Sequence, residues 1–524
     1  INYVRKTFAP AEREPAEGYP PHPSRLWDLE TDEEHFDVLI DDTFCYVISS
    51  NTVSAYQLLT GVQVWKRGIR RLEPSSVPGL FSCGNRYIGL YFRPGRIQLN
   101  ALHSNRNRLQ PGKVSDFVRI IAANGTETET SVMPPCKDRI CVIDALPLFY
   151  RDSVFIGYQA YNRGGGTPEI YVMRYSIPDR EPVWNSFVCQ GIGYSSGQIT
   201  VSGGRLFYMT NRGAAAGLDI HSGEPRWAFR YPRKSRNARY RFRSSGDKGY
   251  MVRDSLIDSA GMLYTQPYDS SFVISFDYEG RERWKRELSG AAVRGLAISS
   301  GNILVAERSR IAVFSPAGDL VEKVPVSADA RLFSAREGRG YFLARKGGLT
   351  FHPGDQKKGR FIFPAPPETV ALDVQESRRY AAVRYSGSLE VYTRLTPETY
   401  AKKGTPVYYF LSARTSFSRG EWEQGETAMS SFFDSAGTSY EYEGCDLVPY
   451  ARRILGRSRL QRAEQLFAKR EFENAETWFR ASLKAYPDWP DTDTCSIFRR
   501  ITECAVEDGE WENAVRTARY MIRT

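Results

Sequence analysis

"LDIHSGEPRWAF", residues 218–229, sets Gly223 in a polar turn and places Trp227 four residues beyond it. It follows an alternating stretch, GGRLFYMT (203–210), so the passage reads as strand, tight turn, then a strand carrying an indole. The glycine permits the positive φ of such a turn. The phrase recurs. AYQLLTGVQVWKR (55–67) has Gly61 and Trp65, and SFDYEGRERWKREL (275–288) has Gly280 and Trp284. VFSPAGDLVEKV (313–324) keeps Gly318 but has Glu322 at the ring position, and MRYSIPDREPVWNS (173–186) reaches Trp184 through Pro-Asp-Arg. Trp184, Trp227, Trp284 and Glu322 fall 43, 57 and 38 residues apart. Periods of this size mark a repeat architecture, with four-stranded propeller blades as the leading reading.

The composition agrees. An apolar fraction of 41% and a charged fraction of 25% are globular values, and 13% aromatics favour β structure. At 524 residues more than one core is expected. No run of about 18 apolar residues exists, so no sequence segment reads as a membrane-spanning helix. The chain opens INYVRKTFAPAEREP without an initiator Met or an apolar signal core, which suits either a processed chain or missing first residues. The net charge of +10 is uneven: residues 396–524 hold 18 Lys/Arg against 20 Asp/Glu, so the excess lies before them. Eight cysteines form no CxxC, CxxCH or Cys/His cluster, which argues against metal and haem. CKDRIC (136–141) is either a small disulfide loop or two buried thiols.

The expected fold class is mainly β with a C-terminal α part. Residues 1–35, rich in Pro and charge, read as an extended arm. Residues 36–395 read as an eight-bladed propeller, with seven blades as the alternative count. The blades are 36–69, 79–122, 138–189, 193–232, 255–288, 292–326, 330–364 and 369–395. The Trp after each turn is expected to wedge against the next blade. From 396 to 524 the spacing becomes helical. RGEWEQGETAMSSFF (419–433), KREFENAETWFRASLKAYP (469–487) and DGEWENAVRTARYMI (508–522) each pair an aromatic (Trp422, Phe472, Trp511) with a small residue three positions on (Gly425, Ala475, Ala514). That places a knob beside a point of close helix approach, so a stacked helical-hairpin array is expected.

Residues 470–487 resemble the second helix of a tetratricopeptide repeat, through Glu471-Phe472, Ala475, Phe479, Ser482, Leu483 and Pro487, with Arg470 at the usual Gly. The strand-turn-Trp phrases resemble the docking motif of PQQ-like (quinoprotein-type) β-propellers, with Gly61, Trp65, Trp184, Gly223, Trp227, Gly280 and Trp284 as structural docking residues. That family holds quinoprotein dehydrogenases and, nearer in pattern, a non-catalytic outer-membrane assembly lipoprotein. The resemblance implies a bacterial cell-envelope location, most simply periplasmic. Its quinone-dependent members use adjacent cysteines, a Ca²⁺ site and an Asp base. This chain has no Cys-Cys pair and no carboxylate cluster of Ca²⁺-like spacing.

No catalytic residue, metal ligand or cofactor is therefore expected. GYSSG (193–197) matches a nucleophile elbow in letters, but two strands follow it where that elbow needs a helix, so Ser195 reads as a turn residue. His22, His35, His103, His221 and His352 are dispersed, no phosphate-binding loop appears, and NGT (124–126) reads as a turn. RYPRKSRNARYRFR (230–243) is the sharpest charged feature, with Arg233, Lys234, Arg236, Arg239, Arg241 and Arg243 interleaved with aromatics. Three readings stand: a solvated loop between blades, a dock for an acidic protein surface, or a site for phosphate-bearing partners. The reading adopted is a non-catalytic scaffold that binds other proteins within a larger assembly. The candidate contacts are that basic segment with Trp422, Phe472, Trp478 and Trp511. Nucleic acid is disfavoured as a partner and an anionic membrane surface is left open. A quinoprotein oxidoreductase and a nucleic-acid or anionic-lipid binder are the alternatives.

Overall fold

The computed structural model describes residues 25–31, 36–49, 52–69, 77–83, 87–93, 118–123, 125, 130–132, 135, 139–162, 167–191, 197–210, 213–232, 256–257, 261–265, 272–288, 295–307, 309–327, 330–335, 340–353, 360–364, 369–443 and 445–523. The chain divides into two compact units, 1–22 with 28–391 and 23–27 with 392–524.

The first unit is an eight-bladed β-propeller. Blade 1 runs Asp37–Ile40, Phe44–Ile48, Thr52–Gln57, Gln63–Gly68, and blade 2 runs Val77–Cys83, Tyr87–Arg93, Val118–Ala122, Thr130–Val132. Blade 3 is Arg139–Ile143, Ser153–Asn162, Glu169–Ser176, Glu181–Gln190, with Leu148–Tyr150 as a fifth strand against the second. Blade 4 is Gln198–Ser202, Arg205–Met209, Ala214–Asp219, Pro225–Arg230, and blade 5 is Leu256–Ile257, Met262–Thr265, Phe272–Asp277, Glu282–Glu287. Blade 6 is Leu296–Ser299, Asn302–Ala306, Arg310–Phe314, Leu320–Pro325, and blade 7 is Arg331–Ser334, Gly340–Arg345, Gly348–Pro353, Arg360–Pro364. Blade 8 takes Asp373–Glu376, Tyr380–Arg384 and Ser388–Thr393 from the late chain and its outermost strand, Arg25–Glu30, from the early chain. The stretch read as an arm thus contributes a strand, and eight is the count. Blade 2 extends past the expected 122 because residues 94–117 separate its second strand from its third.

Burial explains the strand text. Middle strands are covered on both faces, as in Val118–Ala122, and so read as apolar runs. Fourth strands alternate exposed and half-buried, as in Gln63–Gly68 and Pro225–Arg230, because one face meets the next blade and the other meets water. Between blades 8 and 1, Gln375 Nε2 donates to Val38 O while its Oε1 accepts from Ile40 N at 3.2 Å, and Arg384 Nη1 donates to Phe36 O at 3.0 Å. A side-chain amide thereby joins the first strands of these two blades.

Blade 7 carries an acid-sensitive group. His352 stacks on Tyr341, 4.6 Å between ring centroids and 5° between planes, and its Nε2 is buried without a hydrogen bond. Burial first, then the Arg345 charge, hold its pKa down to about 4 from 6.5. Between those values the unfolded chain binds the proton and the folded one does not. Stability is therefore lost as pH falls from 6.5 towards 4, by about 1–2 kcal/mol once partial solvent screening is allowed for. His352→Phe keeps the stack and removes the titration. Its urea midpoint should fall less than the wild type's between pH 6.5 and 4.5, and equal falls would refute the assignment.

The second unit is helical: α1 (Pro397–Tyr400), α2 (Pro406–Ser418), α3 (Trp422–Ala436), α4 (Leu447–Ala468), α5 (Phe472–Ala485), α6 (Asp491–Glu507) and α7 (Trp511–Arg523). The last six pair as the hairpins α2/α3, α4/α5 and α6/α7, a tetratricopeptide-like array. Each hairpin turns through one left-handed residue: Gly420 (φ 74°), Arg470 (φ 63°) and Gly509 (φ 77°). Gly425 lets α3 lie against α2, since a Cβ there would come 2.4 Å from the Phe417 ring.

Candidate partner-binding surfaces

What the molecule offers a partner is whatever its own seams leave free. Each docking indole leaves its own blade. Trp65 Nε1 donates to Ala123 O of blade 2 at 3.0 Å, and Trp184 Nε1 to Ile220 O of blade 4 at 3.2 Å. Trp227 Nε1 donates to Tyr278 O of blade 5 at 2.9 Å, and Trp284 Nε1 to Pro316 O of blade 6 at 2.8 Å. The rings lie on the receiving blade's turn glycine. A Cβ built on Gly125, Gly223, Gly280 or Gly318 would come 2.8, 2.5, 2.4 or 2.5 Å from the neighbouring indole. All four glycines have φ between 74° and 86°. In the phrases of blades 4 and 5 the Gly and the Trp therefore serve two different seams: Gly223 and Gly280 receive the previous blade's ring, and Trp227 and Trp284 go to the next blade.

A β-bulge precedes each ring. The pairings Ala55↔Trp65 and Tyr56↔Gln63 leave Val64 unopposed, and Val183, Arg226, Arg283 and Val321 are left over in the same way before Trp184, Trp227, Trp284 and Glu322. The extra residue shifts the side-chain phase and re-aims the ring. Arg226 and Arg283 pair with Asp219 and Asp277, each at 2.8 Å. Asp219 also accepts the N–H groups of His221 and Ser222, and these contacts, Arg226 first, hold its carboxyl well below the usual range. The blade 2–blade 3 seam differs: the outer strand Thr130–Val132 has no Trp, and Arg180 (φ 58°) stands where blade 4 has Gly223.

The helical aromatics separate by burial. Trp422 is 9% exposed, packs 6.2 Å from Phe417 and lies under Arg462 of α4, whose guanidinium carbon is 5.9 Å from the ring. Phe472 is half-buried, 5.3 Å from Phe467, and Trp478 is half-buried against the core that holds Phe479 and Ile501. Trp511 is 64% exposed, with Val515 and Tyr520 also exposed on α7. Arg459 of α4 forks onto Glu426 of α3 at 2.7 and 2.6 Å and donates to Ala481 O of α5 at 3.2 Å, tying three helices. No sequence signal marks that pair, 33 residues apart.

Arg233, Lys234, Arg236, Arg239, Arg241 and Arg243 lie outside the described residues, as do Ser195, His22, His35, His103 and Asn124. Among the described residues there is no group of three or more His, Cys, Asp or Glu poised for a metal, and no helix long and apolar enough to cross a membrane. Cys141 is disulfide-bonded, while Cys45, Cys495 and Cys504 are free thiols.

Ring, docking indoles and α-hairpins define the class: an eight-bladed β-propeller carrying tetratricopeptide-like helices. Residues 169–339, from the third strand of blade 3 past the first strand of blade 7, match the family described as outer membrane protein assembly factor BamB. Among solved structures, the chain is similar to BamB from Moraxella catarrhalis at 12% identity, covering 71% of this chain and 99% of that one, TM-score 0.48. It is also similar to Saccharomyces cerevisiae Sqt1 at 10% identity, covering 71% and 99%, TM-score 0.47. No curated protein matches the sequence.

Proposed function

We propose that the chain is a non-catalytic scaffold, a subunit of a bacterial cell-envelope assembly that holds other proteins against propeller loops and helical hairpins. The observation that carries this reading is the match of residues 169–339 to a family described as an assembly factor. The packing is consistent with it: four blade seams are fastened by the chain's own indoles, so those seams need no cofactor. Trp511 and, in part, Trp478 remain for a partner, whereas Trp422 and Phe472 serve their own hairpins. The basic segment 230–243 is proposed as a dock for an acidic protein surface. The Cys141 disulfide suits an oxidising, exported location. Mild purification from the native source tests the reading. Defined proteins should accompany the chain in fixed ratio, with less recovered by Trp511→Ala; recovery of the chain with no accompanying protein would refute it.

A further inference from the structure

Blade 3 and blade 4 enclose a cleft of about 250 Å³ whose lining includes Arg151, Ser153, Arg174, Asp179, Ile220 and His221. Arg174 stands on the third strand of blade 3, paired in register with Trp184. Its Nε donates to Ser153 Oγ at 3.0 Å and its Nη1 to Ile220 O at 3.4 Å, the same carbonyl that accepts the Trp184 indole. Among the described residues the guanidinium makes no ion pair, although it is half-buried. A half-buried cation held in place by neutral acceptors is preorganised for an anion that the protein itself does not supply.

The turns beside the cleft are unusual in the same sense. Arg151 (φ 53°) takes the left-handed position that Gly203 (φ 56°) takes in blade 4, and Arg180 (φ 58°) takes the one held by Gly223 (φ 74°). Both are arginines at positions where glycine is the low-strain choice, both in blade 3, one lining the cleft and one adjoining Asp179. Two carboxylates also line the cleft, Asp152 and Asp179, but both are exposed and solvent-screened, and Asp179 Oδ2 already accepts the Ser176 hydroxyl at 2.5 Å.

We infer that this cleft is a carboxylate-binding site that takes an aspartate or glutamate side chain of a partner protein, with Arg174 as the anchoring guanidinium. Size decides between a side chain and a metabolite, because small-molecule sites run to roughly 300–1,000 Å³ and this cleft is smaller. The identity of the occupant rests on the scaffold reading above; the carboxylate chemistry does not.

Two measurements test it separately. N-acetyl-glutamate α-amide, which carries one carboxylate, is titrated into the full chain while the arginine Nε–H resonances are followed by NMR. The Arg174 resonance should shift with saturation in the millimolar range, the neutral N-acetyl-glutamine amide should leave it in place, and Arg174→Gln should weaken binding at least tenfold by calorimetry. An equal response to the neutral amide, or equal binding by the variant, overturns the site. Should Arg174→Gln fail to melt cooperatively, Arg174→Lys replaces it, with the same tenfold criterion. Native-source purification is then repeated with the variant. Fewer co-purifying proteins support a protein side chain as occupant. An unchanged set alongside wild-type scaffolding overturns the inference and leaves the scaffold reading standing. If the wild type brings no partner, the scaffold reading falls and the titration alone decides the carboxylate site.

Discussion

Trp284→Ala is expected to lower stability by about 3–5 kcal/mol, the range for truncating a large buried aromatic. Trp284 is the most buried of the four docking indoles described, 7% exposed. It packs 5.8 Å from Tyr264 of its own blade and 6.1 Å from Phe314 of blade 6, and gives its N–H to Pro316 O. Arg286, two residues along the same strand, donates to Gly318 O at 2.5 Å, so one strand grips the neighbouring turn twice. Removing the ring leaves a hole at the seam and orphans part of that grip. Trp284→Phe keeps most of the apolar area and loses the hydrogen bond, so it should lose only about 1–2 kcal/mol. Urea denaturation followed by circular dichroism reads both. A Trp284→Ala loss under about 1 kcal/mol would mean that the indole does not fasten the blades.

The fold was legible where its signal is local. The turn glycine and its Trp lie within a few residues of each other, so the phrase 218–229 announced hairpin and ring together. What was hidden depends on partners far along the chain. Arg25–Glu30 sits in Pro- and charge-rich text, and only its pairing with Ser388–Thr393 makes it a blade strand. Gly125 read as a plain turn because no Trp follows it in its own blade; its part is to receive Trp65 from the blade before. The bulge at Val64, Val183, Arg226, Arg283 and Val321 leaves no residue-type mark, since valine and arginine fill it alike. The helical aromatics show the same limit. Trp422 and Trp511 open the same phrase with a small residue three positions on, yet one is buried and the other exposed. Trp422 packs on Phe417 and lies under Arg462 of the next hairpin, contacts that no pattern within the phrase encodes. Arg174 was invisible for a similar reason: an arginine inside an alternating strand looks like a solvated face until the neighbouring blade is in place.

The division of labour between glycine and ring is open to direct measurement through Gly280. Gly280 (φ 79°) and Gly347 (φ 82°) share the left-handed backbone that penalises any Cβ. Around Gly347 a new Cβ would meet nothing within 4 Å, whereas at Gly280 it would lie 2.4 Å from the Trp227 ring. Gly347→Ala is therefore expected to cost about 1 kcal/mol, the left-handed penalty less the entropy that alanine removes from the unfolded chain. Gly280→Ala must in addition push out an indole held by Tyr278 O at 2.9 Å and packed edge-on to Phe276 at 5.4 Å, and should cost about 3 kcal/mol. In a Trp227→Ala background the obstruction is gone, so the Gly280→Ala penalty should fall to that of Gly347→Ala. The double-mutant cycle should then show a coupling of about 2 kcal/mol. If Gly280→Ala costs the same in both backgrounds, backbone conformation alone demands the glycine and the neighbouring ring plays no part in selecting it.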